Sequence, residues 1–153
     1  MLNVVLFQPE IPHNTGAIGR LCLATNARLH LIKPLGFSLD DKQLKRAGLD
    51  YWAEVDVRVW ESWEALAAEI PAGAECWFIE CQGEHTYWEA DLTADEIFLV
   101  FGPETRGIPT SVIQPERCLR IPMQGTRSLN LATAAGIVMY ETLRQRTLAG
   151  IKS

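Results

Sequence analysis

A chain of 153 residues with 48% hydrophobic content fits one domain with a core of its own, needing neither disulfides nor metals to hold it together. Its 14 Lys and Arg against 19 Asp and Glu give a net charge of -5, which excludes a global attraction to a polyanion and confines any nucleic-acid contact to a local patch. The first residues lack a cleavable leader pattern, no apolar run reaches membrane-spanning length, and Cys22, Cys76, Cys81 and Cys118 lack zinc or redox spacing, so they read as small buried hydrophobes of a reducing compartment.

The apolar, β-rich run Leu2–Phe7 predicts the first strand. The loop at residues 8–16 leads into a helix on which Ile18, Leu21, Cys22 and Thr25 fall at helical spacing, with Asn26 as a left-handed C-terminal cap. After a strand at Arg28–Ile32, residues 40–47 predict a helix ended by Gly48, with acids in its first turn and Lys45 and Arg46 in its last. Residues 55–60 predict a strand, and 63–70 a helix stopped by Pro71 and Gly73. Further strands are predicted at 76–79, Ile97–Phe101 and 118–122. The longest helix, 130–147, is apolar on more than one side and should be buried by more than one neighbour. This alternation predicts an α/β fold with a mostly parallel sheet flanked by helices, in a single domain over residues 1–153.

In a parallel sheet, ligands collect beyond the carboxyl ends of the strands, which directs attention to the loops at 8–16, 102–109 and 122–130. In the first, Gly16 and Ala17 precede Arg20 by four and three positions. Helical side chains lean toward the N-terminus, so Arg20 can fold back over these small residues toward the loop; the alternative is a solvated surface cation. Asn14 reads as the helix N-cap and His13, without a partner, as a polar loop residue. In the second loop, Gly102 lets backbone approach a ligand, and Glu104 either caps the following turn or orients a cation such as Arg20 or Arg106. In the third, Ser128 or Asn130 caps the long helix, while Gly125 and Thr126 can shape a pocket for an uncharged heterocycle walled by Ile121, Met123 and Leu129. No Gly-x-Gly-x-x-Gly or Walker sequence is present to cradle the phosphates of a dinucleotide or triphosphate. Lys42, Lys45 and Arg46 share a helical face near Tyr51 and Trp52, which is either a phosphate contact beside stacking aromatics or a solvated face.

Taken in order, Asn14 to Arg20, Phe101 to Pro109, and Ile121 to Asn130 followed by a helix reaching Tyr140 and Glu141 resemble the three motifs of the SPOUT superfamily of RNA methyltransferases. Within it the chain is most similar to the minimal tRNA wobble-nucleotide 2'-O-methyltransferases. The likeness rests on Leu-Asn-Val-Val-Leu-Phe-Gln-Pro-Glu-Ile-Pro-x-Asn-Thr-Gly at the start and Arg-Ala-Gly-Leu-Asp-Tyr from Arg46, and it spans nearly the whole chain. Two departures stand out: the third loop is one residue shorter, and Ala132-Thr133 replaces the family's Ser-Asn pair. The resemblance implies a C-terminal deep trefoil knot and a cytoplasmic homodimer whose site is completed across the long helix, with S-adenosyl-L-methionine as cofactor and no metal. It implies methylation of the ribose 2'-hydroxyl of cytidine or uridine 34 in tRNA; another tRNA or rRNA ribose is the nearest alternative. On residues alone, a nucleotide-dependent oxidoreductase or a non-catalytic RNA-binding module also stands open.

By matching positions, the resemblance implies cofactor contacts at Ile79, Gly102, Ile121, Met123, Ser128 and Leu129. Arg20 is then the catalytic residue, with Asn14 and Tyr140 in support and Glu104 and Asn130 orienting the loops. Arg106 and Arg127 are expected to contact RNA at the pocket, and Lys42, Lys45 and Arg46 at a distance. The resemblance gives Arg20 the duty of drawing the proton from the ribose hydroxyl; a guanidinium is effectively always protonated, so Arg20 is expected mainly to hold a phosphate and stabilise developing alkoxide charge, with proton acceptance requiring an unusually desolvated site.

Overall fold

In a computed structural model that describes residues 1–151, the elements run β1 (Leu2–Phe7), α1 (Pro12–Thr25), β2 (Arg28–Ile32), α2 (Lys42–Ala47), β3 (Val57–Trp60), α3 (Trp63–Ala67), β4 (Glu75–Ile79), β5 (His85–Thr86), β6 (Ile97–Phe101), β7 (Cys118–Arg120) and α4 (Leu131–Leu148). The strands form one sheet in the order β3-β2-β1-β6-β4-β7-β5, and its neighbouring pairs are parallel. Side chains alternate across a strand, so β1 feeds two cores. Val4 and Leu6 join Ile18 and Cys22 of α1 and Val138 and Met139 of α4 on one face. Val5 and Phe7 join Phe78, Val100 and Leu66 of α3 on the other. Covering both faces is what allows β1 and β6 to be apolar at almost every position.

The helix ends show which polar residues the backbone recruits. Helix α1 starts with Pro12 after Ile11, which makes no side-chain cap, so Asn14 is not the N-cap but an interior first-turn residue. Its other end matches expectation: Asn26 is left-handed at φ 55°. Helix α2 begins at Lys42 rather than at residue 40, because the Asp41 carboxylate accepts from Gln43 N–H and Leu44 N–H. Helix α3 is capped by Ser62 and ends at Ala67, three residues short of expectation. Strand β3 starts at Val57, and β7 ends at Arg120. The two-residue β5, too short to carry a periodicity, pairs with β7.

Helices α1 and α2 approach closely through glycine. A Cβ on Gly16 would lie 2.2 Å from the Leu44 carbonyl oxygen, and one on Gly19 would lie 2.7 Å from the Trp52 ring. The space above Gly16 therefore belongs to α2, and Arg20 does not fold back into it. Trp52 is half-buried, packing against α1 and the core, while Tyr51 beside it is exposed. Helix α4 packs on α1 and β6, burying Ala135, Val138 and Met139, while Tyr140 is 47% exposed. No helix among the described residues is long and apolar enough to cross a membrane.

Candidate active site

Parallel strands point their carboxyl ends the same way, and beyond the ends of β4, β6 and β7 lies a cavity of about 430 Å³. Ile79 follows from β4, Gly102 from β6, and Ile121, Met123, Ser128 and Leu129 from the segment after β7; all six line it. Asn14, Glu104, Arg106 and Asn130 line it as well. Arg20, Tyr140, Arg127, Lys42, Lys45 and Arg46 do not: all are exposed, and Lys45 lies 3.8 Å from Asp40.

A polar relay ties the three loops together. Glu104 accepts from Glu10 N–H at 2.8 Å, Ile11 N–H at 2.9 Å and the Asn14 side-chain amide at 3.2 Å. It thus fixes the segment entering α1, rather than capping its own turn or orienting Arg20 or Arg106. Asn14 Oδ1 in turn accepts from Asn130 Nδ2 at 3.0 Å, and Asn130 Oδ1 caps α4 by accepting from Ala132 and Thr133 N–H. Asn130, not Ser128, is the helix cap. Asn14 is only 3% exposed, so each half of its amide must find a partner in the protein, and each does.

A second pair of contacts runs in reverse. The Glu10 carboxylate accepts from Thr105 N–H and Oγ1 at 2.8 Å, and these bonds, with the Arg106 cation nearby, hold its carboxyl below the usual carboxylate range. Arg106 donates to Gln8 Oε1 at 3.4 Å, and Gln8 itself adopts a positive φ of 50°. Gly102 earns its place through its own loop: a Cβ there would lie 3.0 Å from Ile108 N. Gly125, left-handed at φ 78°, and Thr126 are exposed away from the cavity, which correct their expected role in shaping it.

Sequence reasoning missed Glu80 and Cys81, which line the cavity directly after Ile79. Their position past the end of a predicted central strand was the available signal. Cys81 is exposed, which corrects its reading as buried; Cys22 and Cys118 are buried and Cys76 is half-buried. Burial pushes the Cys22 and Cys76 thiols up to about 12.

The SpoU rRNA Methylase family matches residues 1–140. A tRNA (cytidine(34)-2'-O)-methyltransferase of Methylovorus glucosotrophus (strain SIP3-4) is 48% identical, covering 98% of this chain and 99% of its own. A solved structure described as giving structural insights into the 2-OH methylation of C/U34 on tRNA is 47% identical, with a TM-score of 0.91 over 98% of this chain and 97% of that one. The SpoU methyltransferase AviRb from Streptomyces viridochromogenes, solved in complex with the cofactor AdoMet, is 26% identical, with a TM-score of 0.83 over 97% of this chain and 61% of that one. With the three loops converging on one cavity and a family match across most of its length, this chain belongs to the SpoU rRNA methylase family.

Proposed function

We propose that this protein methylates the ribose 2'-hydroxyl of wobble nucleotide 34, cytidine or uridine, in the tRNA anticodon loop, using S-adenosyl-L-methionine. The observation that carries this reading is the single cavity into which Ile79, Gly102, Ile121, Met123, Ser128 and Leu129 converge beside the Glu104–Asn14–Asn130 relay. The relative and the solved structure that share nearly the whole chain carry that reaction in their descriptions, which supports the substrate. The AdoMet complex of a more distant relative supports the cofactor.

The cavity's chemistry fits such a group. Ile79, Ile121, Met123 and Leu129 offer apolar walls for a heterocycle, Glu80 and Glu104 suit a ligand carrying positive charge, and no Gly-rich phosphate cradle is present in the sequence. When bound, the cofactor supplies an electrophilic methyl group on a sulfonium. Arg20 holds the phosphate beside the target ribose and stabilises negative charge growing on the 2'-oxygen. Asn14 fixes the start of α1, on which Arg20 stands, relative to the cavity.

Because Arg20 and Tyr140 do not line the cavity of their own chain, the reading requires a homodimer with α4 at the interface, where they complete the site of a second copy. Exposed Leu23, Tyr140 and Leu148 on α1 and α4 support such a contact. Arg106, Arg127, Lys42, Lys45 and Arg46 take phosphates of the RNA. The protein works in the cytoplasm as a single domain over residues 1–153, with a deep trefoil knot at its C-terminal end. Support for the knot is the strand order: β7 lies beyond β4 from β6, so residues 102–117 pass β4 before α4 returns over β6 and α1.

The test is methylation of tRNA from cells lacking the protein, with nuclease mapping of the modified ribose by mass spectrometry. Wild type is expected to modify nucleotide 34. Arg20→Ala should lose about 100-fold or more in rate while keeping its cofactor affinity. Modification at another ribose refutes the substrate, and an undiminished rate in Arg20→Ala refutes that residue's role.

A further inference from the structure

One carboxylate in the cavity wall has no part in the relay. Glu80 follows β4 directly, and its N–H donates to the Leu119 carbonyl at 2.9 Å, which pins the residue to the sheet. Its Oε1 accepts from Ile108 N–H, while Oε2 has no hydrogen-bond partner among the described residues. Glu104, the other carboxylate lining the cavity, is already filled by three donors from the segment entering α1. Among the carboxylate oxygens of the residues lining this cavity, Glu80 Oε2 is thus the one without a hydrogen-bond partner among the described residues.

Strand order says which donor. The cavity lies across the ends of β6, β4 and β7, which stand in that sequence along the sheet. The apolar wall suited to a heterocycle includes Ile121 and Met123, which stand directly after β7. Asn14, Glu104 and Arg106, where the reactive end must emerge toward RNA, lie on the side of β1 and β6. A nucleoside laid between these two ends has its sugar over β4. We propose that Glu80 Oε2 accepts a hydrogen bond from a ribose hydroxyl of the cofactor, and that Glu80 thereby selects a ribonucleoside ligand over its deoxy counterpart. This inference rests on the cofactor reading given above.

Calorimetry on the whole protein tests it, with S-adenosyl-L-methionine and its 2'-deoxy and 3'-deoxy analogues as probes. A hydrogen bond to a charged acceptor predicts that wild type binds one deoxy analogue about 10- to 100-fold more weakly than the parent. Glu80→Ala should weaken the parent by a similar factor and no longer distinguish it from that analogue. Glu80→Gln keeps an acceptor for Ile108 N–H and should fall between. Combining protein variant with ligand variant isolates the hydroxyl–carboxylate interaction from any general loss of charge or fold. Discrimination undiminished in Glu80→Ala overturns the proposal; should that variant fail to fold, undiminished discrimination in Glu80→Gln does the same. Equal binding of all three probes by wild type overturns the role of Glu80 and leaves the cofactor reading intact, whereas a wild type that binds none of them overturns both.

Discussion

Replacing Asn14 with aspartate changes one atom's identity and little of its shape, yet it reverses a contact at the centre of the relay. The amide that donates to Glu104 at 3.2 Å becomes a second carboxylate oxygen at the same place, while the acceptor for Asn130 is retained. Two unit charges at that separation repel by about 5 kcal/mol at an effective dielectric constant of 20. The site is 3% exposed at Asn14, so water offers little relief, and the cheaper escape is for the pair to retain a proton. Asn14→Asp is therefore expected to lose roughly 3–5 kcal/mol of stability at pH 8, the range for a broken buried pair, and to regain most of it near pH 5. Asn14→Ala, which only leaves partners unsatisfied, should cost roughly 1–3 kcal/mol with little dependence on pH. Urea denaturation of the three proteins at both pH values measures this. An Asn14→Asp variant as stable as wild type at pH 8 would show that the contact with Glu104 does not hold the loops together.

Cys81 makes the cavity open to direct measurement. It is the exposed thiol among the four, so a maleimide should label it selectively in the native protein, and saturating S-adenosyl-L-methionine should slow that labelling at least tenfold; equal rates with and without ligand place the ligand elsewhere. His30 predicts an acid-sensitive fold. It lies 2% exposed between Asn3 and Trp60, and burial first, then the Arg28 and Arg58 cations, opposed by Asp56, pull its pKa down from 6.5 to about 4. Since the unfolded chain takes up the proton first, this contribution is complete above pH 6.5 and is lost as pH falls toward 4. At about 1.4 kcal/mol for each pH unit between those values, the loss is roughly 3 kcal/mol. Denaturant titration should show that slope in wild type and a shallower one in His30→Gln; identical slopes refute the assignment. Gly16→Ala should destabilise by about 1–3 kcal/mol or more, since the new methyl meets backbone of α2 rather than a movable side chain, and a thermal midpoint equal to wild type would contradict the packing.

The centre of the sheet was readable because β1 and β6 are apolar on both faces, and three of the predicted strands agree with the structure at both ends. Part of the cavity wall was readable because Gly102, Ile121, Met123 and Leu129 sit in segments following strands, whereas Ile79 entered through the family resemblance. Asn14 shows where such reading stops. Its position just ahead of an apolar helix looks like a cap, but its partners, Glu104 and Asn130, lie far along the chain, and no local pattern marks a pairing that depends on the sheet bringing β1, β6 and the start of α4 together. Gly16 misleads for a related reason: it signalled room for Arg20 to fold back, and the group that approaches it is the protein's own α2. Arg20 poses the opposite difficulty. Its role rests on the motif, and among the described residues it does not line the cavity beyond β4, β6 and β7.

The strand order also bears on how the protein comes into being. The middle of the sheet joins β1 to β6, with Leu2 opposite Ile97, so the first strand synthesised waits for one made much later. A nascent chain that stops at Phe101 has Asn14 without Asn130 and Glu80 without Ile108, and hence no closed pocket to occupy. Pairings this distant slow folding and leave apolar edges bare on the ribosome. The cavity therefore closes only after translation has delivered α4, and premature termination products should be inert rather than partly competent.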